Sequence, residues 1–404
     1  MSERVYLDHA ATTPVDPRVV EAMLPYLTDY WHNPSSIYVE AQQARRAIDE
    51  ARVTVAAAIG ASPDEITFTS GGSESDNWAL RGVLAATRAR GSHLVTSGAE
   101  HHAILDPAEQ LGREGAGVTL VAVERDGSVD PARVEAAVRD DTVLVSLMHA
   151  NNEVGALTDI AEVVRRVKAK NPRTLVHTDA VQSAAHLGVN VAALGVDLLT
   201  LTAHKFYGPR GAGVLYHRAG TPLAPLIVGG GQENGRRAGT ENTAAIVGLA
   251  AAVRLAAERR EADIEHERRL QRRLIEELPR RVPLLGITGP RDLERRLPGN
   301  VSCVVGFVEG ESILLGLDLA GIAASSGSAC TTGSVEPSHV LVAMGVPLDL
   351  ARGSLRFSLG RGNTDADVDR LIEVLPGIVE RLRRLSPIPV SEPPREWLPW
   401  LVGE

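Results

Sequence analysis

Between Ala44 and Arg254 short apolar runs alternate with longer amphipathic stretches: EITFTS, HLVTS, GVTLVAV, TVLVSLMHA, TLVHTDA, VDLLTLTAH and GVLYH each stand between segments of helical periodicity. Apolar runs of this length, spaced this way, predict the strands of a mostly parallel central sheet with helices on both faces. In such a sheet ligands gather where the strands deliver their carboxyl ends into loops. From Thr243 to about Leu278 the pattern is that of a long helix rich in Ala, Leu, Arg and Glu, with room for a break in its middle. Beyond it come the strand-like runs of ITGPRDLERRLPGNVSCVVGFV, a helix at Glu311 to Leu319 and a charged amphipathic helix from Asp365 to Leu385. The fold class expected is therefore α/β. A large domain spans 16–258, a smaller α+β domain spans 259–385 and takes in the N-terminal strand of 1–15, and a tail covers 386–404.

The tail, SPIPVSEPPREWLPWLVGE, has five prolines in 19 residues together with Trp397 and Trp400. Its prolines favour an extended course and its indoles favour docking on a surface, its own small domain before a partner.

Composition changes this picture little and narrows the function. At 404 residues the chain suits one large domain with a smaller companion, and 44% apolar with 23% charged residues is the balance of an ordinary globular protein. A formal net charge of -9, with no dense basic run interleaved with aromatics, argues against direct nucleic-acid binding. The opening MSERVYLDHAATTP is charged at once, and the longest apolar helical pattern, Ile246 to Ala257, is interrupted by Arg254, so no membrane association and a cytoplasmic setting are expected. With only Cys303 and Cys330 present, neither a disulfide framework nor a cysteine-rich metal site is expected. Cys303, in NVSCVVGFV, reads as a small buried hydrophobe.

Candidate chemistry sits at the strand ends. In TFTSGGSESDNWALRG a strand passes through Gly71, Gly72 and Ser73 into a helix, which aims unpaired backbone N–H groups and a hydroxyl at one spot suited to an anion. HTDAVQS ends a strand with Asp179 and places Gln182 three residues later; LTAHKFYGPRG ends another with His204 and Lys205. A lone lysine between the apolar run of Val196 to Thr202 and a glycine-punctuated return is the setting of a reactive amine rather than of a solvated one. An amine, a carboxylate, an amide and a phosphate seat at one sheet edge are what pyridoxal 5'-phosphate needs for its aldehyde, ring nitrogen, phenolic oxygen and phosphate. His101, in SGAEHHAILD, falls at a further strand end, where an imidazole can cover a ring face and carry protons.

The blocks LDHAATTPVDPRV, TSGGSESDN, AEHHAILD, MHANNEVG, HTDAVQS, TAHKFYGPRG, GRRAGT, SSGSACTTGSVEPSHVL and LRFSLGR, in order from residue 5 to about 375, resemble those of the cysteine desulfurases. These are fold-type I pyridoxal phosphate enzymes of the class V aminotransferase group. The block around Cys330 is the most telling, since related aminotransferases of that fold lack it. The resemblance implies that Lys205 forms the Schiff base with the cofactor, that Asp179 pairs with its ring nitrogen, that Gln182 contacts its phenolic oxygen and that His101 stacks on the ring. It implies that Gly72, Ser73, Thr202 and His204 hold the phosphate, that Thr240 in GRRAGTEN reaches the phosphate of the other subunit of a homodimer, and that Asn152 and Arg356 grip the substrate carboxylate. Ser73 stands where many relatives have threonine and Thr202 where many have serine; both keep the hydroxyl.

From Ala323 to Ser334 every residue except Cys330 is Ala, Ser, Gly or Thr, a composition that anchors poorly in a core and suits a thiol carried on a moving loop. The activity implied is transfer of sulfur from L-cysteine to Cys330 as a persulfide, with L-alanine as the other product, supplying a sulfur-acceptor protein for iron–sulfur cluster assembly or tRNA thiolation. The resemblance leaves open which acceptor is served and whether Cys330 shares in a cluster held by a scaffold partner. Rival readings are a selenocysteine lyase or an aminotransferase on the same scaffold, against which the Cys330 block speaks. From another class the rival is a catalytically idle sulfur relay, against which the retained cofactor residues speak.

Overall fold

The computed structural model describes residues 4–327, 337–386, 390 and 392–401. After the short β1 (Val5–Tyr6) come β2 (Ile66–Thr69), β3 (His93–Ser97), β4 (Gly117–Val121), β5 (Thr142–Met148), β6 (Leu175–Asp179), β7 (Leu198–Thr202) and β8 (Gly213–His217). These last seven are the seven runs expected from the sequence, and they form one sheet in the order β2-β8-β7-β6-β5-β3-β4. Every neighbouring pair is parallel except the two that involve β8, which runs antiparallel to β2 and β7. β5, β6 and β7 are buried along their whole length, because helices cover both faces. That is why they read as unbroken apolar runs rather than alternating ones.

On one face the helices Gly72–Thr87 and His102–Arg113 enclose Trp78, Leu80, Ile104 and Leu111. On the other, Val39–Ile59 and the first half of Thr243–Arg281 bury Ile48, Val55, Ile246, Leu249 and Val253. The second half of that same helix supplies Leu270, Leu274 and Leu278 to a separate core. There it meets β9 (Leu285–Thr288), β10 (Asn300–Val305) and β12 (Ser354–Ser358), an antiparallel sheet in the order β12-β10-β9 backed by the helix Asp365–Leu385. β1 pairs in parallel with β11 (Ile322–Ala323), and Val5 and Leu7 belong to this second core. Cys303 is fully buried in it, with its thiol pushed up to about 12 by burial, which makes it a hydrophobe and not a nucleophile.

Thr243–Arg281 is one continuous helix of 39 residues, without the break for which the sequence left room. Its polar middle spans the gap between two cores and is laced by Arg254–Glu258 and Arg259–Asp263 pairs one turn apart, at 3.0 and 3.1 Å.

Around the two indoles, where the sequence allows either a helical turn or an extended strip, Arg395–Trp397 form a 3-10 turn and Leu398–Leu401 a helical turn. The tail docks on the protein itself, though not on the small domain alone. Trp397 lies 5.0 Å from the Phe307 ring, and Trp400 lies under the Arg125 guanidinium at 4.6 Å. Both indoles are buried in the protein's own core. Deleting residues 386–404 is therefore expected to cost roughly 3 kcal/mol or more of stability, in line with loss of a buried indole. A thermal melt checks this: a midpoint unchanged from that of the full chain would contradict the packing.

Candidate active site

Because β2, β3, β5, β6 and β7 are mutually parallel, their carboxyl ends leave the sheet on one side. The loops that follow bring together most of the residues singled out from the sequence. A cavity of about 470 Å³ is lined by Gly72, Ser73, His101, Asn152, Asp179, Gln182, Thr202, His204, Lys205 and Arg356. That volume suits a cofactor and a small substrate. Two expected residues are not among them. Thr240 is exposed and away from this cavity, and Cys330 lies outside the described residues.

Lys205 closes the 3-10 turn Ala203–Lys205 that ends β7. The chain then folds back through Tyr207 (φ 64) and Gly208, where a Cβ would come 2.7 Å from that of Ala203, so only glycine fits. Lys205 Nζ donates to the carbonyls of Ala10 and Ala11 at 2.6 and 2.8 Å. Burial, with the charge of Arg356, pulls this amine down to about 8, against the opposing pull of Asp179 and Asp8. A substantial neutral fraction near pH 8 is what a nucleophilic amine requires.

Asp179, the last residue of β6, accepts from the backbone N–H of Val181 at 2.8 Å with one carboxylate oxygen and leaves the other unclaimed. Burial pushes its pKa up, and a cationic partner in the cavity would bring it down again. Gln182 donates to the Ala10 carbonyl at 3.0 Å, the same acceptor that Lys205 uses, and keeps its second amide hydrogen. His101 caps the helix His102–Arg113, its Nδ1 accepting from Ala103 N at 3.0 Å, so the ring proton sits on Nε2. Burial, with Lys205 and His102 nearby, lowers its pKa to about 4 and keeps the ring neutral.

At the anion seat, Gly72 and Ser73 open the helix Gly72–Thr87, and β8 approaches so closely at Gly213 that a Cβ there would lie 2.6 Å from Gly71 Cα. His204 is held by Thr12 at 3.1 Å. The Thr202 hydroxyl lies 3.2 Å from the Ala212 carbonyl and donates to it, so it would turn to serve a phosphate. At the opposite end Arg356, on β12, is fixed by the Asp8 carboxylate at 2.9 Å and the Asn152 carbonyl at 2.9 Å. Its Nε is buried and has no partner, an unfilled donor suited to a carboxylate.

These residues fit pyridoxal phosphate: an amine near neutrality, a carboxylate with a free oxygen, an amide donor and a helix N-terminus stand around one cavity. Several further residues line it that the sequence did not single out. Asp8 and Ala10 arrive from the N-terminal segment, whose LDHAATTP block was visible but whose position in space was not. Asp76 lies one turn beyond Ser73 on the same helix. It is buried, and burial with the nearby Asp179 charge raises its pKa well above the carboxylate range. Glu100, which accepts from Met148 N, stands behind the cavity and is lifted to about 8 by burial.

A family model for class V aminotransferases matches residues 5–371. A protein described as "Cysteine desulfurase IscS" from Dictyoglomus turgidum is 49% identical over 387 residues, covering 96% of this chain and 97% of its own. A "Cysteine desulfurase IscS" from Methanosarcina thermophila is 48% identical over 395 residues, covering 97% and 96%. Among solved structures, one titled "NIFS-LIKE PROTEIN" superposes with a TM-score of 0.88 at 38% identity, covering 94% of this chain and 100% of that one.

Proposed function

Because the chain belongs to the class V aminotransferase family of fold-type I enzymes, as a pyridoxal phosphate-dependent cysteine desulfurase, we propose that Lys205, Arg356 and Cys330 divide its chemistry among them. The observation that carries this is the meeting in one cavity of Asp179 and Lys205, from the ends of the neighbouring strands β6 and β7, with Arg356 from the remote β12. When bound, the cofactor supplies an electron sink for the carbon framework of the substrate. Lys205 would hold its aldehyde and then, as a free amine, take the α proton of L-cysteine at Nζ. Asp179 would hold the ring nitrogen, Gln182 the phenolic oxygen, and Gly72, Ser73, Thr202 and His204 the phosphate. His101, neutral with its proton on Nε2, would cover the ring face.

Arg356 would take the substrate carboxylate with the guanidinium that lines the cavity, while Asp8 and the Asn152 carbonyl keep it in plane. Asn152, beside it, would help to orient the same carboxylate. Cys330 would attack the substrate sulfur: an S–S bond forms, the C–S bond breaks with its electron pair left on carbon, and that carbon is protonated to the methyl group of L-alanine. The persulfide would then pass to an acceptor protein serving cluster assembly or tRNA thiolation.

A homodimer is part of this proposal. Trp31, Ile37, Val39 and Val228 are exposed, Ile37 at 94%, in a quantity unusual for a free surface. The GGGQENGRRAGTEN loop that carries Thr240 is pinned in shape by buried Arg52–Glu233 and by Arg237–Glu74 pairs at 2.6 and 2.8 Å. Such a loop can present Thr240 to a neighbouring subunit's phosphate seat, and light scattering from a fully active monomer would contradict it. The bounds 16–258 and 259–385 for the two domains are proposed likewise, because the second core draws its buried residues from the N-terminal segment and from 259–385 alone. No described helix is long and apolar enough to cross a membrane.

Loading of the apoprotein with pyridoxal phosphate tests the role of Lys205. Only the neutral amine captures an aldehyde, so the rate should climb about tenfold per pH unit below about pH 7 and level off once past about pH 8. A rate still climbing steeply at pH 10 would mean an ordinary solvated lysine.

A further inference from the structure

Lys205, Gln182 and Ala10 are a wall shared by two cavities. Behind the substrate cavity lies a second of about 30 Å³, reached by His9, His186, Tyr207, Glu267 and Asn300. His186 Nε2 lies 2.7 Å from Glu267 Oε2, in an ion pair whose acid is almost wholly buried. His9 Nδ1 and Asn300 Oδ1 find no aligned hydrogen bond among the described residues, and Glu267 Oε2 has the His186 ring alone at 2.7 Å. Glycines keep the room clear: a Cβ on Gly299 would come 2.9 Å from Glu267 Oε2, and one on Gly360 would come 2.5 Å from both His9 Nδ1 and the Tyr207 hydroxyl. A polar cavity with room for a water, edged by donors and acceptors with spare hydrogen-bonding capacity, is where internal water resides.

We propose that this cavity holds a water through which Lys205 Nζ exchanges protons with the His186–Glu267 pair, on the side of the lysine turned away from the substrate. It rests on the reading of Lys205 as the proton-moving amine. In each cycle Nζ must shed the proton it has gained. The amine gives one proton to the water as the water gives one to the Glu267 carboxylate, and the reverse sequence returns it; no other bond changes. His186 acts as the positioning residue, its Nε2 fixing the Glu267 carboxylate at the cavity edge. Burial lowers the His186 pKa and the Glu267 charge raises it, with a net rise. The other charged and titratable groups around the pair are Asp263 and Arg260 on the long helix, Arg361 bonded to Asp263, and His9, Tyr207 and Lys205.

The test uses the holoenzyme and the loss of the α-hydrogen of L-alanine in D₂O, which needs proton exchange at Nζ but no sulfur transfer. In Glu267→Gln and in His186→Asn this washout should fall about tenfold or more, with KM for L-cysteine nearly unchanged. Nitrogen NMR of His186 should show a ring protonated above the ordinary histidine range in the native protein and not in Glu267→Gln, and a high-resolution crystal structure should show ordered water in the cavity. Native washout in either folded variant, or a dry cavity, would overturn the relay. Washout lost only in Lys205→Ala would overturn the relay and spare the lysine's role; washout that survives Lys205→Ala would overturn both.

Discussion

Lys205→Ala is expected to lower alanine formation from L-cysteine by ~10³-fold or more, while the protein stays folded and can still hold cofactor without a covalent link. The size of the effect follows from the number of tasks that meet at one atom. Nζ stands at the end of β7 within reach of the cavity, held by two backbone carbonyls and drawn down to about 8 by burial and Arg356. No other lysine lines that cavity. His101 is neutral but fixed by its own helix cap, so it cannot take over the amine's work. Retained turnover in a cleanly folded Lys205→Ala protein, followed as alanine released, would remove the lysine from the mechanism.

Cys330→Ser is expected to separate binding from chemistry. Every residue proposed to hold the cofactor lies elsewhere in the chain, so the variant should load pyridoxal phosphate and bind L-cysteine with native affinity. Persulfide and alanine should both vanish, because a serine hydroxyl is a far poorer nucleophile toward sulfur than a thiolate. Cys303 offers no substitute, being enclosed in the core of β9, β10 and β12 with its thiol raised to about 12. A Cys330→Ser protein that still accumulated alanine at the native rate would refute the assignment.

The strands were legible because a parallel sheet covered on both faces leaves continuous apolar runs. Much of the cavity lining was legible because Asp179, His204 and Lys205 stand where those runs stop. What escaped were contacts made at long range. Asp8 meets Arg356 across 348 residues, and Ala10 receives Lys205 from 195 residues away, so neither pairing has a local signature. The His186–Glu267 pair joins a loop to the far end of a helix whose middle appeared breakable, and nothing near either residue marks it. Asp76 did carry a signal, one turn from Ser73 on a single helix face, but its environment depends on Asp179 from another strand. The course of the tail was left open by the sequence. Proline content favours extension locally, whereas burial of Trp397 and Trp400 decided the outcome.

The central claim is that sulfur leaves L-cysteine onto Cys330 at a site built around Lys205. Peptide mapping by mass spectrometry after a single turnover tests it most directly: holoenzyme mixed with one equivalent of L-cysteine, the thiols trapped, and alanine counted in the same sample. One added sulfur on the peptide containing Cys330, matched by one alanine, is the predicted result. Added sulfur on the Cys303 peptide, or alanine formed with no sulfur retained on the protein, would contradict it.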